Sequence, residues 1–254
     1  MIPGMSLSGS LLRFVLPKAA PEPEQLTIAH AGDTLPLTFV RSRRARRVSL
    51  RVDAAGRRIV LTAPLRMARD TAVGFARAQA GWIASRLKRL PARQPFADGA
   101  EFPLFGERLR IRHRPDQRGT VWREGCEIHI AGRPEHLPRR LRDWLIAELR
   151  RHLVPLVHTK AARVGRPVRR ITIRDNRSRW GSCGPNAAIT FSWRLVFAPR
   201  DVVDYLVAHE VAHLVHLNHG RRFWALARAL TDGPMDPPHA WLRSNADLLL
   251  QYGA

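Results

Sequence analysis

Alternation of apolar and polar residues dominates the first part of the chain. Leu35, Leu37 and Phe39 occupy every second position, as do Val48, Leu50 and Val52, then Ile59 and Leu61. A period of two places the apolar set on one face of a strand, so the stretch from Leu26 to Ala63 reads as β-structure. Ala54-Ala-Gly56 supplies the turn between the last two strands. The period then lengthens. Ala72, Phe75, Ala76, Gln79, Trp82, Ile83 and Leu87 recur at three- and four-residue steps, which predicts a helix over 67–90 that Pro91 stops. Alternation returns over 104–130 at Leu109, Ile111, Val121, Ile128 and Ile130, with a turn at Glu124-Gly125. A long helix is expected over 138–164, from Leu141, Trp144, Leu145, Leu149, Leu153 and Leu156, with a kink at Pro155. Strands follow at 168–174 and 188–196. The apolar spacing of Val202, Val203, Leu206, Val207, Val211, Leu214 and Val215 predicts a buried helix over 200–217. Two further helices are expected near 221–230 and 239–250. No internal repeat is visible.

This pattern predicts an α+β fold in three parts. Residues 1–24, ending in Pro21-Glu-Pro-Glu24, are expected to form a flexible leader. Residues 25–132 form a β-rich region with a helical insertion. Residues 133–254 follow in the order helix, β-hairpin, helix, further helices.

Composition is ordinary in apolar content but not in charge. A chain of 254 residues can bury a full core, as one large domain or two small ones. The formal net charge is +22, and Lys occurs only at Lys18, Lys88 and Lys160, so nearly all of the excess is arginine. GC-rich coding explains the choice of arginine over lysine but not the surplus of positive charge. That surplus favours anionic partners: nucleic acid, nucleotide phosphates or acidic proteins. Non-specific nucleic-acid binding is expected at low salt. Two distant cysteines, Cys126 and Cys183, make no disulfide framework and fit a reducing compartment. The N-terminus has no basic region ahead of an apolar run, and the run at Leu11–Leu16 is broken by Arg13. No stretch approaches the length of a membrane span, so a cytoplasmic protein without a membrane partner is expected.

The densest chemistry lies between Tyr205 and His219. His209, Glu210 and His213 form an H-E-x-x-H pentapeptide. Residues four apart on a helix share a face, so His209 and His213 can offer ring nitrogens to one zinc ion. Glu210 points about 100° around the axis. That makes it a poor ligand but a well-placed general base for a hydrolase. Two histidines compete for the third ligand position. His216 shares the face but lies seven residues from His209, about 10.5 Å along a continuing helix. His219 follows Leu217-Asn218, and Asn tolerates the left-handed conformation that ends helices, while Gly220 adds freedom. A chain turning there brings His219 back, so His219 is preferred, with His216 behind the ligands or at the surface. His30, His113, His129, His136, His152, His158 and His239 are scattered and are expected to be surface or structural residues.

His209-Glu-Val-Ala-His-Leu-Val-His-Leu-Asn-His-Gly-Arg-Arg-Phe-Trp224 resembles the metal motif of the YgjP-like metallopeptidase family, often grouped with the M48-type zinc peptidases. In that motif H-E-x-x-H is followed by N-H-[S/G]-x-x-F-W. Gly220 stands where Ser is more usual. Two further elements match, Arg177-Ser-Arg-Trp-Gly-Ser-Cys183 and Arg41-Ser-Arg-Arg-Ala-Arg-Arg47, the latter followed by strand-like segments and Ala63-Pro64. The resemblance covers about residues 35 to 250. It implies a zinc-dependent hydrolase of α+β fold, and it brings Arg177 and Arg179 near the metal. The order of elements in residues 133–254 is also reminiscent of a minimal zincin-like core. Its sheet edge would then lie beside the metal, able to hold an extended peptide by strand addition.

Arg177 and Arg179 alternate with small residues around Trp180. In the plain reading they form a solvated hairpin that Trp180 anchors. In the functional reading their guanidinium forks bind a carboxylate or phosphate, or stabilise an oxyanion. Cys183 is expected to pack as a small residue rather than to act as nucleophile or fourth ligand. Three function classes remain. A zinc metallopeptidase is favoured, with a peptide or protein substrate. A metal-dependent nucleotide phosphohydrolase (pyrophosphatase) would suit the arginines, but such enzymes use hard ions and carboxylate ligands. A basic nucleic-acid-associated protein with a structural metal would have no use for Glu210.

Overall fold

The computed structural model describes residues 22–53, 56–176 and 179–253. Most of the expected leader, two residues of the expected turn (Ala54 and Ala55) and Arg177 lie outside the described residues. The described chain forms two compact units, one from residues 22–52 with Arg58–Ala84, the other from Asp53, Gly56 and Arg57 with 85–253.

In the first unit, strands β1 (Glu24–His30), β2 (Asp33–Ser42), β3 (Ser49–Asp53) and β4 (Arg58–Pro64) form one sheet in the order β1-β2-β4-β3. β1 and β2 are antiparallel, and β2 and β4 are parallel. The alternating residues Leu35, Leu37, Phe39, Ile59, Leu61 and Ala63 are buried, as their period requires. Helix α1 (Arg69–Ala78) covers them with Ala72, Val73 and Ala76. The single helix expected over 67–90 is two, because α2 (Ala80–Lys88) starts after a break at Gln79. There the Gln79 N–H donates to the Ala76 carbonyl at 3.1 Å, a tighter turn than α. The His30 ring packs against Gly81 just beyond it, at a position with low helical preference.

The second unit repeats that topology with different residues. Strands β5 (Glu101–Leu104), β6 (Glu107–Arg114), β7 (Val121–Glu124) and β8 (Glu127–Ala131) lie in the order β5-β6-β8-β7, again with the second and fourth strands parallel. The repeat escapes sequence inspection because it is one of strand order, not of residues. Helix α3 (Leu137–Arg163) runs on through Pro155 and buries Leu137, Leu141, Leu145, Leu149, Leu153, Val157 and Ala161, one residue per turn. Strands β9 (Arg170–Arg174), β10 (Gly181–Cys183) and β11 (Ala188–Ser192) form a third sheet, ordered β10-β11-β9. β11 stops at Ser192 rather than running to 196, because Trp193–Phe197 winds into a fully buried 3₁₀ turn. Helices α4 (Arg200–Ala212), α5 (Arg221–Leu230) and α6 (Asp236–Leu249) complete the unit.

Apolar residues of β5–β8, such as Phe102, Leu109, Ile111, Ile128 and Ile130, share one core with α3 and α4. That shared core is why the compact division falls near residue 84 and not near 132. The α+β class holds. No helix among the described residues is long and apolar enough to cross a membrane.

Candidate metal centre

Helix α4 is buried on nearly every side: Val202, Val203, Tyr205, Leu206, Val207, Ala208, Glu210, Val211 and Ala212 are all inaccessible. Its position is tied from behind. Lys160 of α3, 2% exposed, places Nζ 2.6 Å from Asp204 Oδ1 and donates to the Leu230 carbonyl at 2.6 Å. Asp204 Oδ2 accepts from the Asp232 N–H at 2.8 Å. A buried cation with this many partners joins α3, α4 and the end of α5.

The helix ends at Ala212, five residues before the expected 217. His213 is its cap, at φ −68° and ψ −17°. The His216 N–H donates to the Ala212 carbonyl at 2.9 Å, and His213 Nδ1 donates to the His216 carbonyl at 3.0 Å. The Leu214 and Val215 N–H groups donate three residues back, to Val211 and Ala212, which tightens and ends the helix. His216 therefore acts through its backbone, and its ring is not on a continuing helical face. The chain does return at His219, but without the expected left-handed residue. Neither Asn218 nor Gly220 has positive φ; the Gly220 N–H instead donates to the Asn218 carbonyl at 2.8 Å.

The result is a convergence of three imidazoles. His209, His213 and His219 each offer one ring nitrogen, all within 4.8 Å of one another, and among the described residues no other such group of His, Cys, Asp or Glu occurs. His209 Nε2 and His219 Nε2 face each other at 3.1 Å. Two nitrogens bound to one tetrahedral zinc at 2.0–2.1 Å would stand about 3.3 Å apart. The bond from His213 Nδ1 leaves Nε2 of that ring for an ion. Burial pushes the His209 pKa down to about 4, helped by the neighbouring charges of His213, His219 and His239. Burial likewise lowers that of His213. Both rings are thus held neutral, the form that binds metal. His209 Nδ1 is buried without a hydrogen-bond partner. Phe223 in the first turn of α5 packs on one side of the three rings, with centroids 4.9, 4.5 and 4.6 Å from His209, His213 and His219. Trp224 packs on His209 and His219. The two aromatics were legible as motif letters; their work, fixing ring orientation, was not.

Glu210 is 4% exposed, and its Oε2 has no hydrogen-bond partner. Burial raises its pKa to about 7, and the charge of Arg179 opposes that rise. Arg179, itself exposed, is therefore within electrostatic reach of the carboxylate. Glu210 lies directly over Gly181 of β10: a Cβ built there would stand 2.4 Å from Glu210 Oε1. The base of the basic loop is pinned at Asp175, which accepts from Arg194 and, at 3.3 Å, from Trp193 Nε1. Ser192 Oγ donates to the Asn176 carbonyl at 2.8 Å. Buried Arg194 and Trp193 thus anchor the loop, in addition to the half-buried Trp180. Cys183 is half-buried, and burial together with Glu210 pushes its thiol up to about 11, so it stays protonated and packs as expected.

β10 is the edge of its sheet. Trp180 and Gly184 bond inward to Ser192 and Ala188, so the antiparallel ladder turns the backbone groups of Gly181 and Cys183 outward. Beside this edge a cavity of about 370 Å³ is lined by Trp180, Tyr205, His209, Glu210 and, from α6, His239, Leu242 and Arg243. His239, expected to be a surface or structural residue, also lines this cavity, packed 5.6 Å from the Tyr205 ring. The signal available in the sequence was the helical stripe His239, Leu242, Arg243 and Ala246.

An α+β fold with a buried carboxylate beside three convergent imidazoles is the arrangement of a metal-dependent hydrolase. The family model for the YgjP-like metallopeptidase domain matches residues 46–245, and the chain belongs to that family. It is thereby a metallopeptidase-type hydrolase, a class that works with a divalent metal on peptide or protein substrates. No curated protein and no solved structure matches the chain.

Proposed function

We propose that this chain is a zinc-dependent peptidase in which His209, His213 and His219 hold the metal and Glu210 is the general base. The observation that carries the reading is the convergence of three imidazoles beside a buried carboxylate whose Oε2 lacks a partner. Three imidazoles suit zinc better than harder ions. Zinc, when bound, supplies a Lewis acid that acidifies water and polarises the scissile carbonyl. Glu210 takes the proton of the attacking water and returns it to the leaving amine. Its carboxylate is confined between α4 and Gly181, so it meets water in one orientation. Arg179 steadies negative charge as it develops. The outward backbone groups of Gly181 and Cys183 hold the peptide as an added strand. Arg177 shares the Arg179 role in the sequence-based reading; it lies outside the described residues. The phosphohydrolase reading draws on the loop arginines and net charge, the nucleic-acid reading on net charge, and the all-imidazole ligand set gives neither support.

The test is metal analysis and peptide hydrolysis of Glu210→Gln. The variant is expected to keep one zinc per chain and lose at least about 10²-fold in rate. Wild-type turnover by this variant would end the mechanism. Arg179→Ala should retain zinc and fold but lose kcat, with poor rescue by Lys.

A further inference from the structure

The cavity beside Glu210 has one wall that the hydrolytic chemistry does not use. Helix α6 presents His239, Leu242, Arg243 and Ala246 to it, at steps of three, one and three residues. These positions form one face of the helix. The facing walls are apolar or aromatic, from Trp180, Tyr205 and Leu206. Arg243 is exposed and faces the same space.

The acids of α6 are engaged elsewhere. Asp236 lies 3.7 Å from Arg228, and Asp247 lies 2.8 Å from Arg86. Among the described residues Arg243 and His239 have no carboxylate partner within ion-pair distance. The cavity therefore offers an apolar chamber of about 370 Å³ with an uncompensated guanidinium and an imidazole one turn apart on its rim. The complementary ligand is a carboxylate carried on a short apolar stem, since Arg presents paired donors that match both carboxylate oxygens.

We propose that Arg243, with His239 beside it, makes this site selective for peptides that carry a carboxylate next to the bond being cleaved. The inference rests on the peptidase reading above. Two sources supply the same chemistry: the free C-terminus of a peptide, and an Asp or Glu side chain flanking the scissile bond.

Four matched peptides separate these sources. One carries Glu beside the bond and one Gln, both with blocked ends; the other two end immediately after the cleaved residue, as free acid or as amide. The zinc-loaded wild type is expected to prefer one acid over its amide by roughly tenfold in kcat/KM, expressed in KM. Preference within the first pair marks the side chain, and preference within the second marks the terminus. Arg243→Gln should abolish the preference while leaving kcat on the amide peptides unchanged. Arg243→Glu should reverse it, favouring a Lys peptide at the same position, an outcome that general destabilisation cannot produce. Equal cleavage of acids and amides by the wild type, or a preference that survives Arg243→Glu, overturns the selectivity and leaves the peptidase reading standing. A wild type that cleaves none of the four overturns both.

Discussion

Gly181→Ala adds one methyl group at the point where strand and helix meet most closely. The new Cβ would lie 2.4 Å from Glu210 Oε1, 2.7 Å from Cγ and 2.8 Å from Cδ. Carbon contacts are comfortable at about 3.5 Å or more, so the carboxylate must retreat by about 1 Å. All three clashes involve one side chain, which is 4% exposed and must yield towards the neighbouring cavity, away from its native position. Overpacking of this kind costs about 1–3 kcal/mol, a few degrees of melting temperature in a chain of this size. The catalytic cost is larger, because a shift of about 1 Å in a reacting group lowers rates by roughly 10². The three atoms nearest the new methyl group all belong to Glu210 and none to the imidazoles, so zinc content should stay at one per chain. The assay is zinc stoichiometry, thermal melting and kcat/KM on one peptide, for Gly181→Ala, Glu210→Gln and the double variant. If Gly181 acts through Glu210, the double variant hydrolyses no more slowly than Glu210→Gln alone. Full activity in zinc-replete Gly181→Ala would refute the placement of Glu210 as base. A further large loss in the double variant would show that Gly181 serves the substrate directly.

Further expectations concern the ligands, the buried cation and pH. His219→Ala should lose zinc, whereas His216→Ala should keep it, since the His216 backbone carbonyl makes the bond to His213; the reverse pattern in metal analysis would assign the third ligand to His216. Lys160→Met leaves Asp204 buried without its cation and should destabilise by about 3–5 kcal/mol in denaturant titrations; a loss below about 1 kcal/mol would show that water already reaches the pair. In metal-free protein, His209 contributes stability that is full above its ordinary 6.5 and lost as pH falls through about 4. Glu210 contributes the opposite slope, full below its ordinary 4.5 and lost as pH rises through about 7. Denaturation midpoints of the metal-free wild type should therefore vary less between pH 4.5 and 6.5 than those of Glu210→Gln, whose midpoints should drop on acidification. Parallel profiles would refute the opposed shifts.

The local periods determined most of the elements. Alternation over Leu35–Phe39 and over Ile59–Leu61 requires strands buried on one face, and the four-residue spacing of Leu141, Leu145, Leu149 and Leu153 requires a helix with one buried stripe. The pair His209 and His213 was likewise decided locally, because a helical turn sets their separation whatever surrounds it. Contacts outside these periods decided the rest. The end of α4 at Ala212 comes with the tightened bonds of Leu214 and Val215, which no propensity records. Strand β10 is three residues long and carries almost no periodic signal, so its place at the edge beside Glu210 comes from its pairing with β11. The need for glycine at Gly181 shows only once Glu210 is laid over it. His239 carries no ligand signal in the sequence, and only the packing of α6 turns it and Arg243 towards the cavity. Periodicity is a property of neighbours along the chain and is legible in one dimension. A site is made where separate elements meet, and only the packing of the core brings those surfaces together.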